Sequence, residues 1–589
     1  MNKTKLSAVC IGIVFLSASC EFIDKYRLRQ QATIRYANYI SDNDSIYNRE
    51  NKQPPFFPEN FNHTSRLYYI CKVWGLVKYY HENKPETKAP DIDRILFDAI
   101  LLNRHCQTKI EFENILQKII CSVQTDNISE TGLYPDINDY QLIRNDWMLD
   151  TVCLAPAITE QLNHIFTTHQ GEENNYVEIN RLGRLLLKNE SVYDEDFPEE
   201  KIRLLALFRY WNVINYFFVY KNFMDANWDR VLYESIPRFI NIKDKKEYHW
   251  EFARLTRKLE DAHTEIPNFD NRLLMGEMHP YFLIQKIDNH FYIKEILFPE
   301  RNKPGFRVGD ILLEIEKRNT IQYYDSLRNY VGSGSDWAQQ YFLSYYMLSS
   351  DRPAMEFTLL RNGTDTLYLT AETKRMDDMV KEWKEKHKLW DHNRWIDDTT
   401  AYLNLRYLTT RTFDQNYDSI KHARNIILDL RSYPDTWLFE KVTDAFVPPS
   451  KCFYSSTYPD VRFPGMVRYQ KNPVMLGHRN SFKGKVVLLV DERTGSYSEY
   501  LSMALQQNPN LITVGRSTMG ADGNIVREVF PGNINICYSG IGIYYPDFTP
   551  TQRCGVKIDY VAEPTVESLT NNTDVALEKA KELLIGGGI

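Results

Sequence analysis

Two features that would point to a function class are missing from this 589-residue sequence. No Cys-x-x-Cys pair occurs, so the nine cysteines show neither a zinc pattern nor a disulfide framework. No long block of Lys and Arg occurs either, and 71 basic against 78 acidic residues leave a net charge of −7. A nucleic-acid-binding face needs clustered positive charge. The sequence therefore argues against a nucleic-acid partner.

The N-terminal segment has the pattern of an export signal. Lys3 and Lys5 precede an apolar run over residues 6–16, which is too short to span a bilayer stably. Small residues then lead to Cys20, an order that resembles a bacterial lipoprotein signal in which this cysteine carries the lipid. Ordinary cleavage elsewhere is the alternative. We expect residues 1–20 to be a signal that attaches the protein to a membrane of the bacterial cell envelope, at the outer membrane or in the periplasm, through an N-terminal lipid.

Length predicts several domains, and the first half of the chain is predicted to be helical. Apolar residues recur at helical spacing over 66–80 and again over 203–217. Arg, Leu, a basic residue, Trp and Tyr repeat between these stretches at a constant offset of 137 residues. After a polar linker at 21–60, we therefore predict two related helical subdomains, 61–190 and 191–277.

The second half changes to strands and then to alternating strands and helices. Short apolar strands flank a hairpin tip at Asn362 and Gly363, which predicts a β-rich domain over 278–375. A connecting helix is predicted within 376–399. Buried apolar runs separated by helical stretches predict an α/β domain over 400–589, with a largely buried sheet.

One strand-to-helix turn in this last domain can carry nucleophilic chemistry. A buried strand at 486–490 leads through Gly495 to Ser496, and a helix follows. At that place free backbone N–H groups and the helix dipole can stabilise an oxyanion next to the serine hydroxyl. Ser496 followed by Glu499 is also a capping box, in which the serine only satisfies the first amides of the helix. The four residues alone leave both interpretations open.

The wider sequence resembles a known family. Ser496, Ser498 and Glu499 after a strand resemble the nucleophile motif of the C-terminal-processing (tail-specific) peptidases and the tricorn core protease. Further stretches agree with that family in the same order: 259–264, 427–434, 520–524 and 549–556. The resemblance implies a multidomain α/β fold in which helical subdomains precede a PDZ-like module and a ClpP/crotonase-like peptidase core.

The resemblance also implies roles for individual residues. Ser496 would be the nucleophile, and His263 would be the base that activates it. Gln552 takes the place of a family glutamate and would orient the histidine. The backbone amide of Tyr497 and an amide of the loop near Asp435 would form the oxyanion hole.

The chain departs from both types of catalytic set in this family. The lysine type carries a lysine in the loop after the nucleophile, whereas the matching loop here is Met519–Asp522 and contains none. Asp522 could replace it only if burial raised the pKa of its carboxyl, because an ordinary carboxylate is too weak a base. The tricorn type carries a serine where Ala262 stands here.

These observations predict a serine endopeptidase that cleaves envelope proteins or peptides by acyl transfer, without a metal or organic cofactor. Two alternatives remain open. The first is a binding protein of the same fold, because the family's Lys, Ser and Glu are absent. The second is a peptide-binding scaffold that works through the PDZ-like module.

Overall fold

The computed structural model describes most of the chain beyond the predicted signal and linker. The described residues are 54–80, 91–122, 140–141, 146–169, 174–181, 184–264, 274–386, 393–406, 408–450, 452–471 and 476–585. The predicted lipidation site Cys20 lies outside them. No helix within these ranges is both long and apolar enough to cross a membrane.

The N-terminal part is helical, as the sequence predicts. Its helices are α1 (His63–Tyr80), α2 (Ile92–His105), α3 (Lys109–Cys121), α4 (Pro156–Thr168), α5 (Glu200–Phe217), α6 (Trp228–Asn241) and α7 (Lys245–Arg257). Three short strands lie among them: β1 (Tyr140–Gln141), β2 (Val177–Ile179) and β3 (Leu185–Leu187). Helices α1 and α5 are the two stretches predicted from the 137-residue offset, and nearly all of their residues are buried. They approach closely, because a Cβ added at Gly75 would lie 1.9 Å from Asn212 Oδ1.

Two ion pairs with buried cations link the two halves of this helical region, and each half supplies one cation and one anion. Lys72 on α1 pairs with Asp229 on α6, and Arg209 on α5 pairs with Asp93 on α2. Lys72 and Arg209 are themselves separated by the 137-residue offset, so each half supplies the cation for the anion of the other. Both halves contribute to one hydrophobic core. The repeat therefore folds as a pair of interlocked halves.

The middle part contains a seven-stranded antiparallel sheet. Its strands are β4 (Met278–Pro280), β5 (Phe282–Ile287), β6 (His290–Ile296), β7 (Ile311–Ile315), β8 (Arg318–Asn319), β9 (Ala354–Arg361) and β10 (Asp365–Arg375). The spatial order is β4-β10-β9-β7-β6-β5, and β8 pairs with β7. Helices α8 (Thr320–Leu327) and α9 (Asp336–Met347) are inserted between β8 and β9, and α10 (Met376–Lys386) follows β10. The predicted hairpin between β9 and β10 is confirmed.

The C-terminal part is built on a six-stranded sheet. Its strands are β11 (Asn393–Trp395), β12 (Thr400–Asn404), β13 (Asn425–Asp429), β16 (Lys485–Val490), β17 (Leu511–Gly515) and β21 (Tyr560–Val561), in that spatial order. All neighbours except β11 and β12 run parallel. Both faces are buried, since alternate residues of these strands enter two different apolar clusters. Burial on both faces explains why the amino-acid sequences of these strands are continuously apolar.

Helices cover this sheet, and the C-terminal part also contributes strands to two smaller, separate sheets. The helices are α11 (Thr410–Ile420), α12 (Phe439–Phe446), α13 (Tyr497–Leu505), α14 (Val566–Thr570) and α15 (Val575–Ile585). Strands β14 (Ser455–Pro459), β15 (Val467–Lys471) and β20 (Gly542–Tyr544) form an antiparallel sheet with β1. Strands β18 (Ile525–Phe530) and β19 (Ile534–Ser539) form a hairpin. Apolar side chains of this hairpin enter the core of the helical region, so β19 lies against the N-terminal part of the chain.

Candidate active site

Ser496 occupies a strained turn between strand β16 and helix α13. Its backbone angles are φ 49° and ψ −117°, a region that is unfavourable for a residue with a Cβ. The residues before the other helices with a capping box, Thr108, Thr409 and Thr565, have φ of −120°, −94° and −113°. Ser496 therefore does not adopt the extended geometry of an ordinary capping residue. A strained strand-to-helix turn is the setting in which hydrolases expose a nucleophilic serine.

Glu499 ties this turn to the loop that follows β17. The Ser496 amide donates to the Ala521 carbonyl at 2.8 Å and to the Glu499 carboxylate at 3.2 Å. The same carboxylate accepts from Thr518 Oγ1 at 2.5 Å, from the Gly520 amide at 2.8 Å and from the Ala521 amide at 3.0 Å. Burial raises the pKa of Glu499 to about 7, although these donors act in the opposite direction. Glu499 thus connects two segments of the chain as well as the start of one helix.

His263 lies in a short 3-10 turn, Ala262–Thr264, after the helical region. Its Nδ1 atom is 2.8 Å from Ser539 Oγ at the end of β19. Its backbone amide donates to Asp261 Oδ1 at 3.0 Å. Burial lowers the pKa of the imidazole, and the Asp261 carboxylate opposes this change. Nε2 is buried and has no hydrogen-bond partner in the described part of the chain.

One short segment connects the surroundings of Ser496 and His263. The Ser496 amide donates to Ala521, and Ile525 pairs with Ser539, the residue that contacts His263. Five residues span at most about 17 Å when fully extended, so the two sites lie at opposite ends of a short stretch. No hydrogen bond joins His263 Nε2 to another described residue. The prediction that His263 and Ser496 face each other across one cleft stays a prediction.

Gln552 is the residue that the family resemblance assigns to orienting His263, and this role stays a prediction. Its Nε2 atom donates to the Glu260 carbonyl at 3.4 Å, and its Oε1 atom is buried without a partner among the described residues. The hydrogen bonds of His263 go to Ser539 and Asp261 instead. The structure therefore brings Gln552 beside the backbone that precedes the histidine, with no hydrogen bond to the imidazole.

The two predicted oxyanion donors differ in their availability. The Tyr497 amide is the first of helix α13 and has no acceptor inside the helix. The Asp435 amide donates to the Arg406 carbonyl at 2.8 Å, so it is already used within the fold. Tyr433 from the same loop is 51% exposed, and its hydroxyl interacts with the Ser496 side chain. A tyrosine hydroxyl of this loop thus lies beside Ser496, whereas the sequence predicted a backbone amide of the same loop.

Asp522 is a buried carboxyl next to this turn. Its Oδ1 atom accepts from the Gly523 amide at 2.7 Å, and its Oδ2 atom has no partner in the described ranges. Burial, with a smaller contribution from Glu499, raises the pKa of Asp522 well above its ordinary value. This is the condition under which the sequence argument allowed a carboxyl to act as an acid or base near neutral pH.

Sequence reasoning missed three residues of this site: Asp261, Ser539 and Tyr433. Asp261 lies two positions before His263, inside the 259–264 stretch that resembles the family. Ser539 and Tyr433 show no local signal, because each reaches the site through folding. Across the described residues, no three His, Cys, Asp or Glu side chains are placed so that they could hold a metal ion.

Comparison with known proteins agrees with this architecture. Residues 399–562 match the family described as Peptidase family S41. No curated protein sequence matches the chain. Mature CPAF is 11% identical, with 66% of this chain and 97% of that chain covered and a TM-score of 0.52. Mature CPAF complexed with lactacystin is 12% identical, with 66% and 98% covered and a TM-score of 0.50.

A further match is the photosystem II D1 C-terminal processing protease, at 15% identity, 64% and 99% coverage and a TM-score of 0.38. At the identities of the two CPAF structures, the likeness shows the fold alone. The predicted fold class, a multidomain chain with a helical N-terminal part and an α/β core, is confirmed. The family resemblance read from the sequence is also confirmed. Residues 399–562 thus match peptidase family S41, and they lie in an α/β core that is joined to a helical N-terminal region.

Proposed function

We propose that the protein is a serine endopeptidase in which Ser496 is the nucleophile and His263 is the general base. The observation that carries the proposal is the strained turn of Ser496 at the start of α13, within the matched S41 domain. Strain of this kind costs on the order of 1–3 kcal/mol and is concentrated at functional sites. The match to a peptidase family supports polypeptide substrates.

The proposed reaction uses Ser496 and His263, whose surroundings are connected by the Ala521–Ile525 segment. Ser496 Oγ forms a bond to the scissile carbonyl carbon while its proton moves to His263 Nε2. The carbonyl oxygen becomes an oxyanion, to which the free Tyr497 amide donates. Collapse of this intermediate breaks the C–N bond, and His263 gives its proton to the leaving amine. Water then repeats the sequence on the acyl-enzyme, which releases the second product and restores Ser496.

Substrate would reach this site along the β-rich middle domain, which we propose is a PDZ-like peptide-binding module. The loop before α9 packs directly on the backbone that holds Glu499. A Cβ added at Gly334 would lie 2.3 Å from the Gly520 carbonyl oxygen, and Ser335 Oγ donates to the Thr518 carbonyl at 2.8 Å. A peptide bound to this domain would therefore be held close to Ser496.

The proposed location is the bacterial envelope, with lipid attached at Cys20. One acyl chain is a weak anchor, and stable attachment needs more than one. Mass spectrometry of the mature protein should find a lipidated Cys20 at its N-terminus, and Cys20→Ala should release the protein from membranes. An unmodified N-terminus elsewhere in the chain would contradict this part of the proposal.

Active-site labelling tests the peptidase proposal directly. A fluorophosphonate probe should label the wild-type protein and fail to label Ser496→Ala, which should also lose peptide hydrolysis. Ser498→Ala is a matched control, because Ser498 is buried two residues away and its hydroxyl has no hydrogen-bond partner among the described residues. Labelling that is equal in wild type and Ser496→Ala, or absent from both, would favour a ligand-binding or scaffold function instead.

A further inference from the structure

Hydrogen bonds join His263, Ser539 and Asp261, and Asp261 is the acidic residue of the three. Asp261 is fully buried, and its Oδ2 atom accepts from the Ser539 amide at 2.6 Å. Its Oδ1 atom accepts from Ser539 Oγ at 3.0 Å and from the His263 amide at 3.0 Å. Ser539 Oγ is in turn 2.8 Å from His263 Nδ1. Three donors therefore converge on one carboxylate, and the serine hydroxyl lies between that carboxylate and the imidazole.

The direction of each hydrogen bond follows from the donors that each group possesses. An ionised carboxylate only accepts, so the single proton of the Ser539 hydroxyl points to Asp261. The same hydroxyl oxygen then has only lone pairs to offer to His263. The imidazole must therefore carry its proton on Nδ1 and donate it to Ser539. Its other nitrogen, Nε2, is left with a bare lone pair.

The opposite arrangement is less favourable. If Ser539 donated to a bare Nδ1, two oxygen lone pairs would face each other across the 3.0 Å between Ser539 Oγ and Asp261 Oδ1. The proton would then sit on His263 Nε2, a buried atom without an acceptor among the described residues. A buried donor left unpaired has lost its hydrogen bond to water without a replacement, which disfavours this tautomer.

We propose that Asp261 and Ser539 are positioning residues that hold His263 with its proton on Nδ1 and its Nε2 lone pair free for the nucleophile. This inference deepens the proposed function and rests on it. Asp261 also supplies the negative charge that stabilises the imidazolium formed when Nε2 takes the Ser496 proton. Gln552, a neutral amide, has no such charge, so the acidic member of the catalytic set comes from the residue two positions before the histidine.

Two substitutions separate this role from simple packing. Asp261→Asn replaces one of the two acceptor oxygens by an NH₂ group. At the Oδ1 place this group donates to Ser539 Oγ, which reverses the hydroxyl and turns its proton toward His263 Nδ1. Ser539→Ala removes the hydroxyl that lies between Asp261 and His263 and leaves both of these residues in place. We expect kcat to fall by about 10²–10⁴-fold in Asp261→Asn, with KM nearly unchanged. Ser539→Ala should lose less, and Ser539→Thr, which keeps the hydroxyl, should recover most of the activity.

The position of the proton can be measured without reference to turnover. Nitrogen-15 NMR of the full chain with labelled histidine distinguishes a protonated from a bare ring nitrogen, and His263→Gln identifies the signal of His263. Wild type should show Nδ1 protonated, and Asp261→Asn should show the proton transferred to Nε2. Ser502→Ala, a buried serine on α13 that donates to the Ser498 carbonyl, is the matched control and should change neither the tautomer nor kcat.

The possible results are distinguishable from failure of the proposed function. Hydrolysis retained in Ser496→Ala would refute Ser496 as the nucleophile and leave the tautomer measurement valid. A proton on Nε2 in wild type, or equal kcat in Ser539→Ala and Ser502→Ala, would overturn the positioning role. A larger loss in Gln552→Ala than in Ser539→Ala would return that role to Gln552. If Asp261→Asn does not fold, Ser539→Ala with both readouts still decides the question.

Discussion

The buried carboxylate of Glu499 should make the stability of the protein depend on pH in a way that Glu499→Gln removes. The side chain is fully buried, and burial raises its pKa from 4.5 to about 7. A raised pKa in the folded state means that folding favours the neutral acid. The stabilising contribution is therefore fully present below pH 4.5 and is lost as the pH rises through about 7. The interval between these pKa values corresponds to about 3 kcal/mol.

Urea unfolding of wild type and Glu499→Gln between pH 4 and pH 8 measures this contribution. Glutamine resembles the neutral acid and cannot ionise. The difference in unfolding free energy between the two proteins should therefore change by about 3 kcal/mol in favour of the variant as the pH rises over this range. Glu440→Gln, at an exposed glutamate that accepts from Trp437 Nε1 at 3.0 Å, should show no such change. A difference that stays constant with pH would refute the argument.

The same variant should lose activity at neutral pH even where it gains stability. The Glu499 carboxylate receives four donors, two on each oxygen. Glutamine offers one acceptor oxygen, and its NH₂ group faces the other pair of donors. Either the Ser496 and Ala521 amides or the Thr518 hydroxyl and the Gly520 amide then lose this acceptor, and the turn at Ser496 shifts. Misplacement of about 1 Å costs about 10²-fold in rate, so we expect kcat to fall by about that factor with little change in KM.

Three further substitutions test other parts of the structure. His263→Ala should lower kcat by about 10²–10⁴-fold, as measured on a peptide substrate, and full activity would exclude it as the base. Tyr433→Phe removes the hydroxyl beside Ser496 and should lower kcat by roughly 10²-fold or more if it donates to the oxyanion; faster turnover would show that it only covers the nucleophile. Gly75→Ala places a methyl group against Asn212 and should lower the free energy of unfolding by about 1–3 kcal/mol, and an unchanged urea midpoint would contradict the close helix approach.

The secondary structure was predictable because its signals are local. Periodicity over 66–80 and 203–217 predicted helices α1 and α5, and the apolar run at 486–490 predicted strand β16. The nucleophile turn was predictable for the same reason, since a strand, a glycine, a serine and a helix follow one another directly. The angles at Ser496 were not predictable, because a capping serine and a strained nucleophile share the same local sequence.

The hydrogen-bond partners of His263, the proposed base, were not predictable because they depend on distant contacts. Ser539 hydrogen-bonds to Asp261 from 278 residues away, and no local pattern marks it. The family resemblance assigns the orienting role to Gln552, and this role stays a prediction. It also placed an oxyanion amide near Asp435, where folding directs the N–H group to Arg406. Tertiary structure decides which partners the Gln552 side chain and the Asp435 amide have, so the sequence alone could not give these partners.

The strain at Ser496 explains why so much buried polar structure surrounds one serine. A turn that costs on the order of 1–3 kcal/mol persists only if its surroundings hold it in place. Hydrogen bonds to Ala521 and Glu499 fix the Ser496 amide, and the Thr518–Ala521 segment is fixed in turn by the loop that carries Ser335. Three parts of the chain therefore hold the serine in a geometry that a simple helix cap would not need. This arrangement is expected if the hydroxyl must be presented to a substrate, and it is unnecessary if Ser496 serves only to start α13.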